Sequence, residues 1–263
     1  MNGCSSGTDP GMRVATFNIL HARSPEDDRV DLDRYAQAIK ELDADVLALQ
    51  EVDRYQSRSS DADLTVLAAE AMGAREHRFV AALSGNPGAM WIAADGDEQP
   101  DSAAYGIALL SRYPAEAWEV VRLAPVPVPV PMWFDGSRMP EMVRDEPRVA
   151  VAAKVASPFG PLTVAAAHLT FMERWNGRQL KRLCRSLLDN PDPVMLMGDL
   201  NMGPDRAQRL SGMRSLVSAP TFPAESPTEQ LDHVLARGTL PPASGRAVRL
   251  PLSDHRALVV DLG

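Results

Sequence analysis

Cysteine is scarce in this sequence, with only Cys4 and Cys184 among 263 residues. Two thiols give no disulfide framework, which fits a reducing compartment and predicts a cytoplasmic protein. Long apolar runs are also missing, and no segment approaches the ~18 residues that a membrane-spanning helix needs. We therefore expect no stable membrane insertion. Residues 1–11 lack the apolar stretch of a signal peptide and are predicted to form a flexible tail before a single domain at residues 12–263.

A surplus of positive charge is absent as well. Lysine and arginine total 27 against 35 acidic residues, which gives a formal net charge of -8. A dedicated nucleic-acid-binding protein is usually basic, so this balance argues mildly against DNA or RNA as the substrate, although a local basic patch is compatible with it. The 45% of hydrophobic residues and the 24% of charged residues are typical of a globular protein with a large core.

Apolar segments with strand and helix periodicity alternate along the chain. Strands are predicted at residues 14–17, 45–50, 106–110, 149–155, 162–167, 194–197, 231–235 and 257–262, and helices at 32–42, 64–72 and 176–188. Hairpin-like pairs and crossovers are mixed, so we expect a layered α/β (α+β) domain with mixed sheets.

The proline-rich segment 125–131 is incompatible with a helix or a central strand, because alternate prolines remove backbone donors. We expect an extended, stiff loop that leads into Met132-Trp133-Phe134. Two interpretations stay open for it. Either its aromatic residues pack on the body of the domain, or the loop forms a rim or lid that shapes substrate access.

The tetrapeptide Gly198-Asp199-Leu200-Asn201 directly follows the predicted strand 194–197. Alternate residues of a strand share a face, so Asp199 and Asn201 are expected to project together beyond its carboxyl end. Ligands of α/β sheets bind at such ends. A carboxylate beside an amide suits activating a water molecule while holding an anionic oxygen. The pair therefore indicates hydrolysis at phosphorus.

Other strand ends also carry polar residues. One such residue is most often a cap or a surface residue, but here the full set is Asn18, Glu51, His168, Asp199, Asn201, Asp232, Asp254 and His255. The oxygen ligands of Asn18, Glu51 and Asp254 suit a hard cation such as Mg²⁺ or Mn²⁺, which polarises a phosphoryl oxygen. Asp199 is the candidate base, and Asn201 is expected to fix the attacking water. Asp232 is expected to orient a protonated His255, while His168 donates to a phosphoryl oxygen.

These residues stand in motifs that resemble the endonuclease/exonuclease/phosphatase superfamily, which has the DNase I-like fold. The motifs are Thr16-Phe17-Asn18, Gln50-Glu51, Tyr105-Gly106, Gly198-Asp199-Leu200-Asn201, Leu231-Asp232-His233 and Ser253-Asp254-His255. The resemblance runs from about Arg13 to Leu262. It implies a four-layer α/β sandwich, in which two packed mixed β-sheets are flanked by helices, and magnesium-dependent cleavage of phosphate esters by in-line attack of water. On that pattern Glu51 is the principal metal ligand.

His168-Leu169 narrows the resemblance to the two-histidine branch, which includes DNase I-like nucleases, inositol phosphatases and sphingomyelinases. Where DNase I-like proteins carry an acid that orients the first histidine, this chain has Tyr105-Gly106-Ile107. The sequence therefore assigns no orienting residue to His168.

The rim of the site is expected to decide the substrate. We predict substrate contacts for Tyr105, Trp133 and Trp175. The third helix is also predicted to carry a basic face, which either is simply solvated or attracts anionic substrates. The preferred substrate is a phosphorylated small molecule or a phospholipid headgroup, and the alternative is a nucleic acid. A non-catalytic binding protein is a third hypothesis, disfavoured because every metal ligand is present. The oligomeric state is left open.

Overall fold

The computed structural model describes residues 11–87, 91–94, 101–133, 139–189 and 191–263. Residues 1–10 of the tail predicted at 1–11, with Cys4 among them, and Phe134 lie outside these ranges. The strands are, in chain order, β1 (Met12–Asn18), β2 (Arg23–Ser24), β3 (Arg29–Val30), β4 (Val46–Arg54), β5 (Glu76–Gly85), β6 (Trp91–Ala93), β7 (Ala104–Ser111), β8 (Ala115–Leu123), β9 (Val130–Met132), β10 (Glu141–Val143), β11 (Arg148–Ser157), β12 (Gly160–His168), β13 (Val194–Asp199), β14 (Arg214–Ser215), β15 (Asp232–Arg237), β16 (Ala243–Val248) and β17 (Ala257–Leu262). The α-helices are α1 (Leu32–Leu42), α2 (Leu64–Met72), α3 (Trp175–Leu187) and α4 (Pro204–Ser211), and short 3-10 helices span Leu20–Ala22 and Ser57–Ser59.

Two large mixed sheets form the centre of the domain. The first has seven strands in the order β16-β17-β1-β4-β7-β5-β6, and the second has six in the order β14-β15-β13-β12-β11-β8. Each contains one parallel pair, β1 with β4 and β12 with β13, among antiparallel neighbours. Such parallel pairs need the crossover helices that the sequence predicts.

Three apolar clusters hold four layers together. The middle cluster lies between the sheets and includes Val14, Val46, Val164 and Met195. A second cluster packs α1 and α2 on the first sheet, and a third packs α3 and α4 on the other sheet. On α3, Leu180, Leu183 and Leu187 are buried, whereas the basic residues face outward. The predicted four-layer sandwich is confirmed.

The helix predictions at 32–42 and 64–72 match the structure. The longer elements β5, β8, β16 and α4 and the short strands β2, β3, β6, β9, β10 and β14 were not predicted. β16 lies at a sheet edge and reads ASGRAV, which has no regular apolar alternation. The expectation for 125–131 was right in excluding a central strand. Its last residues instead enter a two-stranded ribbon of β9 and β10, outside both main sheets. None of the described helices combines the length and the apolar character needed to cross a membrane.

Strand direction determines which side chains meet. Asn18 ends β1 beside Gln50 of the parallel β4, and His168 ends β12 beside Asp199 of the parallel β13. β15 runs antiparallel to β13 and begins with Asp232 directly opposite Asp199. The polar residues of both sheets thus reach the same end of the sandwich.

Candidate active site

A β-bulge presents Glu51. The register of β4 against β7 shifts between Gln50 and Val52, and Glu51 takes the left-handed conformation at φ +58°. Bulges beside functional sites redirect a side chain, and a positive φ at a residue other than glycine costs energy that the surrounding sheet must offset. Opposite the bulge, a Cβ on Gly106 would lie 2.0 Å from the carbonyl oxygen of Val80. Glycine is therefore required there for β5 to pair.

Asn18 joins the two sheets. Its Nδ2 donates to Glu51 Oε1 at 3.0 Å and to Asp199 Oδ2 at 3.1 Å, while its Oδ1 accepts from the backbone N–H of Leu20 at 3.2 Å. Glu51 belongs to the first sheet and Asp199 to the second. One buried amide therefore fixes the separation of two carboxylates that come from opposite layers.

Asp199 lies between two imidazoles. Its Oδ2 is 3.6 Å from His168 Nε2 and 3.9 Å from His255 Nε2, and His255 Nδ1 is 2.8 Å from Asp232 Oδ2. Burial, followed by the charge of Asp232, raises the pKa of Asp199 well above its usual range. Burial alone lowers the pKa of His255, but the charge and hydrogen bond of Asp232 outweigh it and raise the pKa to about 10. The geometry favours a protonated His255 held by Asp232.

The end of β13 and the turn that follows it pack closely against β12. Gly198 has φ +150°, and a Cβ there would lie 1.9 Å from the carbonyl oxygen of Ala167. The N–H of Asn201 donates to Asp199 Oδ1 at 3.0 Å, and its Nδ2 donates to the carbonyl of Leu169 at 2.9 Å. Asn201, at φ +50°, is thus attached to the segment that carries His168.

The Ser253-Asp254-His255 motif is tied to β1. Ser253 Oγ donates to the carbonyl of Asn18 at 2.6 Å and accepts from the N–H of His255 at 3.1 Å. This brings Asp254 close enough for its charge to raise the pKa of Glu51, after burial as the main cause. All eight predicted polar residues therefore belong to one electrostatically connected group.

Arg148 is the partner of His168 that the sequence did not reveal. Its Nη1 lies 3.3 Å from His168 Nδ1, and its side chain is buried. The hairpin of β11 and β12 pairs Val149 with His168 and so places the preceding residue, Arg148, beside the imidazole. The register of this hairpin is what relates the two residues in the sequence. Burial, and then the charge of Arg148, lower the pKa of His168.

The predicted rim residues fall in different places. Tyr105 is buried, with the guanidinium of Arg58 5.5 Å from its ring centroid, and the charge of Glu51 contributes to its raised pKa after burial. Trp175 donates its Nε1–H to the carbonyl of Ala124 at 2.8 Å and lines a groove beside α3. Trp133 is 68% exposed, and among the described residues no contact joins it to the polar group.

The acidic donors fit a divalent cation. The pKa of Glu51 and that of Asp199 are both raised, chiefly by burial, and Asp232 Oδ1 is buried without a hydrogen-bond partner among the described residues. Ligand atoms of Asp199, Asp232 and His255 also lie within 4.8 Å of one another. That second group fits Mg²⁺ less well, because one of its three donors is a histidine nitrogen and Mg²⁺ prefers oxygen ligands. Hard oxygen donors at Glu51 and Asp254 are the better match for Mg²⁺ or Mn²⁺.

Comparisons with known proteins agree with this geometry. At 23% identity, an endonuclease/exonuclease/phosphatase from Beutenbergia cavernae superposes with a TM-score of 0.65 over 96% of this chain and 71% of that chain. A mannosyl-6-phosphatase from Bacteroides thetaiotaomicron shares 16% identity (TM-score 0.64, 96% and 99% covered). Sphingomyelinase C from Streptomyces griseocarneus shares 15% (TM-score 0.64, 97% and 100% covered).

Sequence comparison is more decisive about the family. A comparison with curated protein sequences gives no significant match. Residues 15–255, in contrast, match the sequence profile of the Endonuclease/Exonuclease/phosphatase family. That range contains every one of the polar residues that meet at the end of the sandwich. The chain belongs to the endonuclease/exonuclease/phosphatase family, whose members are hydrolases acting on phosphate esters.

Proposed function

We propose that this protein is a magnesium-dependent hydrolase that cleaves a phosphate ester by in-line attack of water. One observation carries the proposal. Asp199 lies between His168 and His255 and is linked through Asn18 to Glu51, so a basic carboxylate, two imidazoles and a metal-binding carboxylate share one buried centre.

Glu51 and Asp254 are the proposed carboxylate ligands, with Asn18 beside them. In this structure the amide nitrogen of Asn18 faces the carboxylates and its oxygen accepts from Leu20, so ligation through that oxygen requires the amide to turn. A bound Mg²⁺ supplies electrophilic polarisation of a phosphoryl oxygen and offsets the charge that develops on it.

The remaining residues handle protons and orientation. Asp199 accepts the proton of the attacking water, a role that a raised carboxyl pKa favours near neutral pH. Asn201 holds the water and the turn that carries Asp199. His255, kept protonated by Asp232, donates to a phosphoryl oxygen, and His168 donates to another from the opposite side.

A metal titration of Glu51→Gln tests the assignment of the metal ligand. The substitution removes a negative ligand while keeping the shape of the side chain, so the Mg²⁺ concentration for half-maximal hydrolysis of bis(p-nitrophenyl) phosphate should rise at least ~10–100-fold. Wild-type activity should disappear with a chelator and return with Mg²⁺. Glu76→Gln, at the far end of β5, is the matched control and should titrate as wild type does. An unchanged midpoint in Glu51→Gln would remove Glu51 from the metal site.

A groove at the start of α3, the helix that follows His168 in the chain, favours a small or lipid-like ester. It has a volume of about 500 Å³, and its lining includes the apolar Val130, Met132, Phe171, Met172 and Trp175 with the charged Glu173, Arg174 and Arg178. Apolar walls with two arginines and one acid suit a phosphate ester that has an apolar part. This favours amphiphilic substrates over nucleic acid.

The nuclease alternative also has an observation in its favour. Arg178, Lys181, Arg182 and Arg185 are exposed on α3, and among the described residues none of them forms an ion pair. A panel of sphingomyelin, inositol phosphates, sugar phosphates, RNA and supercoiled plasmid, each with Mg²⁺, separates the two substrate classes. Preferential turnover of sphingomyelin or a phosphorylated small molecule supports our choice. Nicking of plasmid at much lower enzyme concentration would reverse it.

A further inference from the structure

Arg148 comes to the site through the hairpin of β11 and β12. It is the first residue of β11, and the neighbouring Val149 pairs with His168, the last residue of β12. Its side chain is only 8% exposed. A guanidinium is always charged, so this position puts a permanent cation into a centre that is otherwise rich in carboxylates.

One terminal nitrogen of the guanidinium lies against the ring of His168. Arg148 Nη1 lies 3.3 Å from Nδ1 and 3.5 Å from Nε2 of the imidazole. These two nitrogens flank Cε1, so an atom in the ring plane at such nearly equal distances would overlap Cε1. Nη1 must therefore lie over the face of the ring. In this arrangement the edge of the ring stays available, and His168 Nε2 remains directed at Asp199 Oδ2, 3.6 Å away.

Most hydrogen-bonding capacity of Arg148 is unused among the described residues. A guanidinium has five N–H donors. Its Nη2 is 3.7 Å from Glu146 Oε2, an ion pair that is too long for a hydrogen bond, and its Nε is buried with no hydrogen-bond partner in the described part of the chain. A buried cation without a well-bonded anion is costly. Arg148 therefore retains N–H donors that suit a second, more closely bound anion.

We propose that Arg148 binds a non-bridging phosphoryl oxygen of the substrate through its terminal nitrogens and, through the contact of Nη1 with the imidazole, positions His168 to donate to the same phosphoryl group. The assignment deepens the proposed function and rests on it. Arginine matches phosphate because its planar fork donates two parallel hydrogen bonds. In this chain a cation thus lies against Nδ1 of His168, where the resemblance leads one to expect an orienting acid, while Asp199 lies on the Nε2 side.

Binding of inorganic phosphate tests Arg148 without requiring turnover. Titration calorimetry is done with and without Mg²⁺ on wild type, Arg148→Met, Arg148→Gln and the control Arg112→Met. Arg112 is paired with Asp43 and Asp45 at the opposite end of the sandwich. We expect phosphate to bind at least ~10-fold more weakly to both Arg148 variants, and kcat/KM to fall ~10²–10³-fold, as for the loss of one oxyanion donor. Arg112→Met should retain wild-type phosphate affinity.

Chemical rescue and a double mutant separate binding from a general structural role. Guanidinium chloride at millimolar concentration should restore part of the activity of Arg148→Gly, whereas sodium chloride at equal ionic strength should not. Arg148→Met/His168→Ala should lose less activity than the product of the single losses, because both residues act on one phosphoryl group.

Three results would overturn the inference. They are unchanged phosphate affinity in folded Arg148→Gln, no rescue by guanidinium, or a double mutant equal to the product of the single variants. If wild-type protein binds phosphate through Arg148 but hydrolyses no ester, the proposed function fails and the binding role of Arg148 stands.

Discussion

At the end of the sandwich opposite the site, Arg13 and Arg246 both bind Asp261, and Arg112 binds Asp43 and Asp45. At the site end, Asp199 stands directly opposite Asp232 on neighbouring strands, a like-charge pairing that destabilises a sheet. Both ends are formed by the same strands, β1 and β17 among them. The far end pairs its acids with arginines, whereas the site end brings its acids together.

The pKa values of two aspartates show the consequence. The hydrogen bond from Arg13 lowers the pKa of Asp261, so ionisation of that carboxyl stabilises the fold. Burial and Asp232 raise the pKa of Asp199, so its ionisation opposes folding. The site end therefore has a less favourable charge arrangement, which is common where function and stability compete.

Backbone conformation also differs between the two ends of the sandwich. At the site end, Glu51, Asn201 and Ser253 are all held at positive φ. Asp43 at the far end also has positive φ, but it ends α1, where a left-handed residue is a usual helix cap. At the site, the left-handed residues instead direct or anchor the proposed catalytic groups.

The largest expected effect comes from Asp199→Asn. The amide keeps the shape but accepts no proton, so kcat should fall ~10²–10⁴-fold. The variant should also be more stable than wild type to urea in the presence of a chelator, because a buried carboxylate that opposes folding is gone. Steady-state kinetics and urea midpoints measure both quantities. A fully active variant would contradict the role of Asp199 as the base. A less stable variant would contradict the claim that its ionisation opposes folding.

Gly198→Ala should disturb the site end next most strongly. The new Cβ would collide with the carbonyl of Ala167 at a φ that favours glycine, so we expect a loss of roughly 2–5 kcal/mol in the free energy of unfolding. Gly160→Ala is the control. It has φ +100° but no atom within 4 Å of its Cβ, and should lose only roughly 1–2 kcal/mol. Equal losses in urea denaturation would show that the close approach does not matter.

Asp261→Asn should have the smallest effect and leave kcat/KM unchanged. The pair with Arg13 is about one-third exposed, so screening limits the loss to about 0.5 kcal/mol at pH 7. Because the folded pKa is lowered, this contribution is present above the ordinary value of 3.8 and vanishes as pH falls through the folded pKa. Urea midpoints measured stepwise from pH 7 downwards check it. A deficit that does not shrink as the pH falls below 3.8 would point to packing rather than charge.

Much of the fold was predictable because local patterns encode it. Helices 32–42 and 64–72 follow from their apolar spacing and from caps such as Gly73, and most of the buried strands, although not β5, follow from their apolar runs. The edge strand β16 escaped because an exposed strand needs no apolar alternation. Arg148 escaped because its function depends on a hairpin register, which propensity does not determine.

The sequence by itself determined that polar residues follow the buried strands, and the resemblance carried by those motifs identified the family. Only the tertiary structure decided that Asn18 reaches Asp199, 181 residues away in the chain, and that Glu51 leaves its strand through a bulge. It also decided that Arg148 contacts Nδ1 of His168, where the resemblance leads one to expect an acid. The physical reason is that periodicity specifies which face of a strand is buried, whereas the packing of two separate sheets decides which strand ends meet.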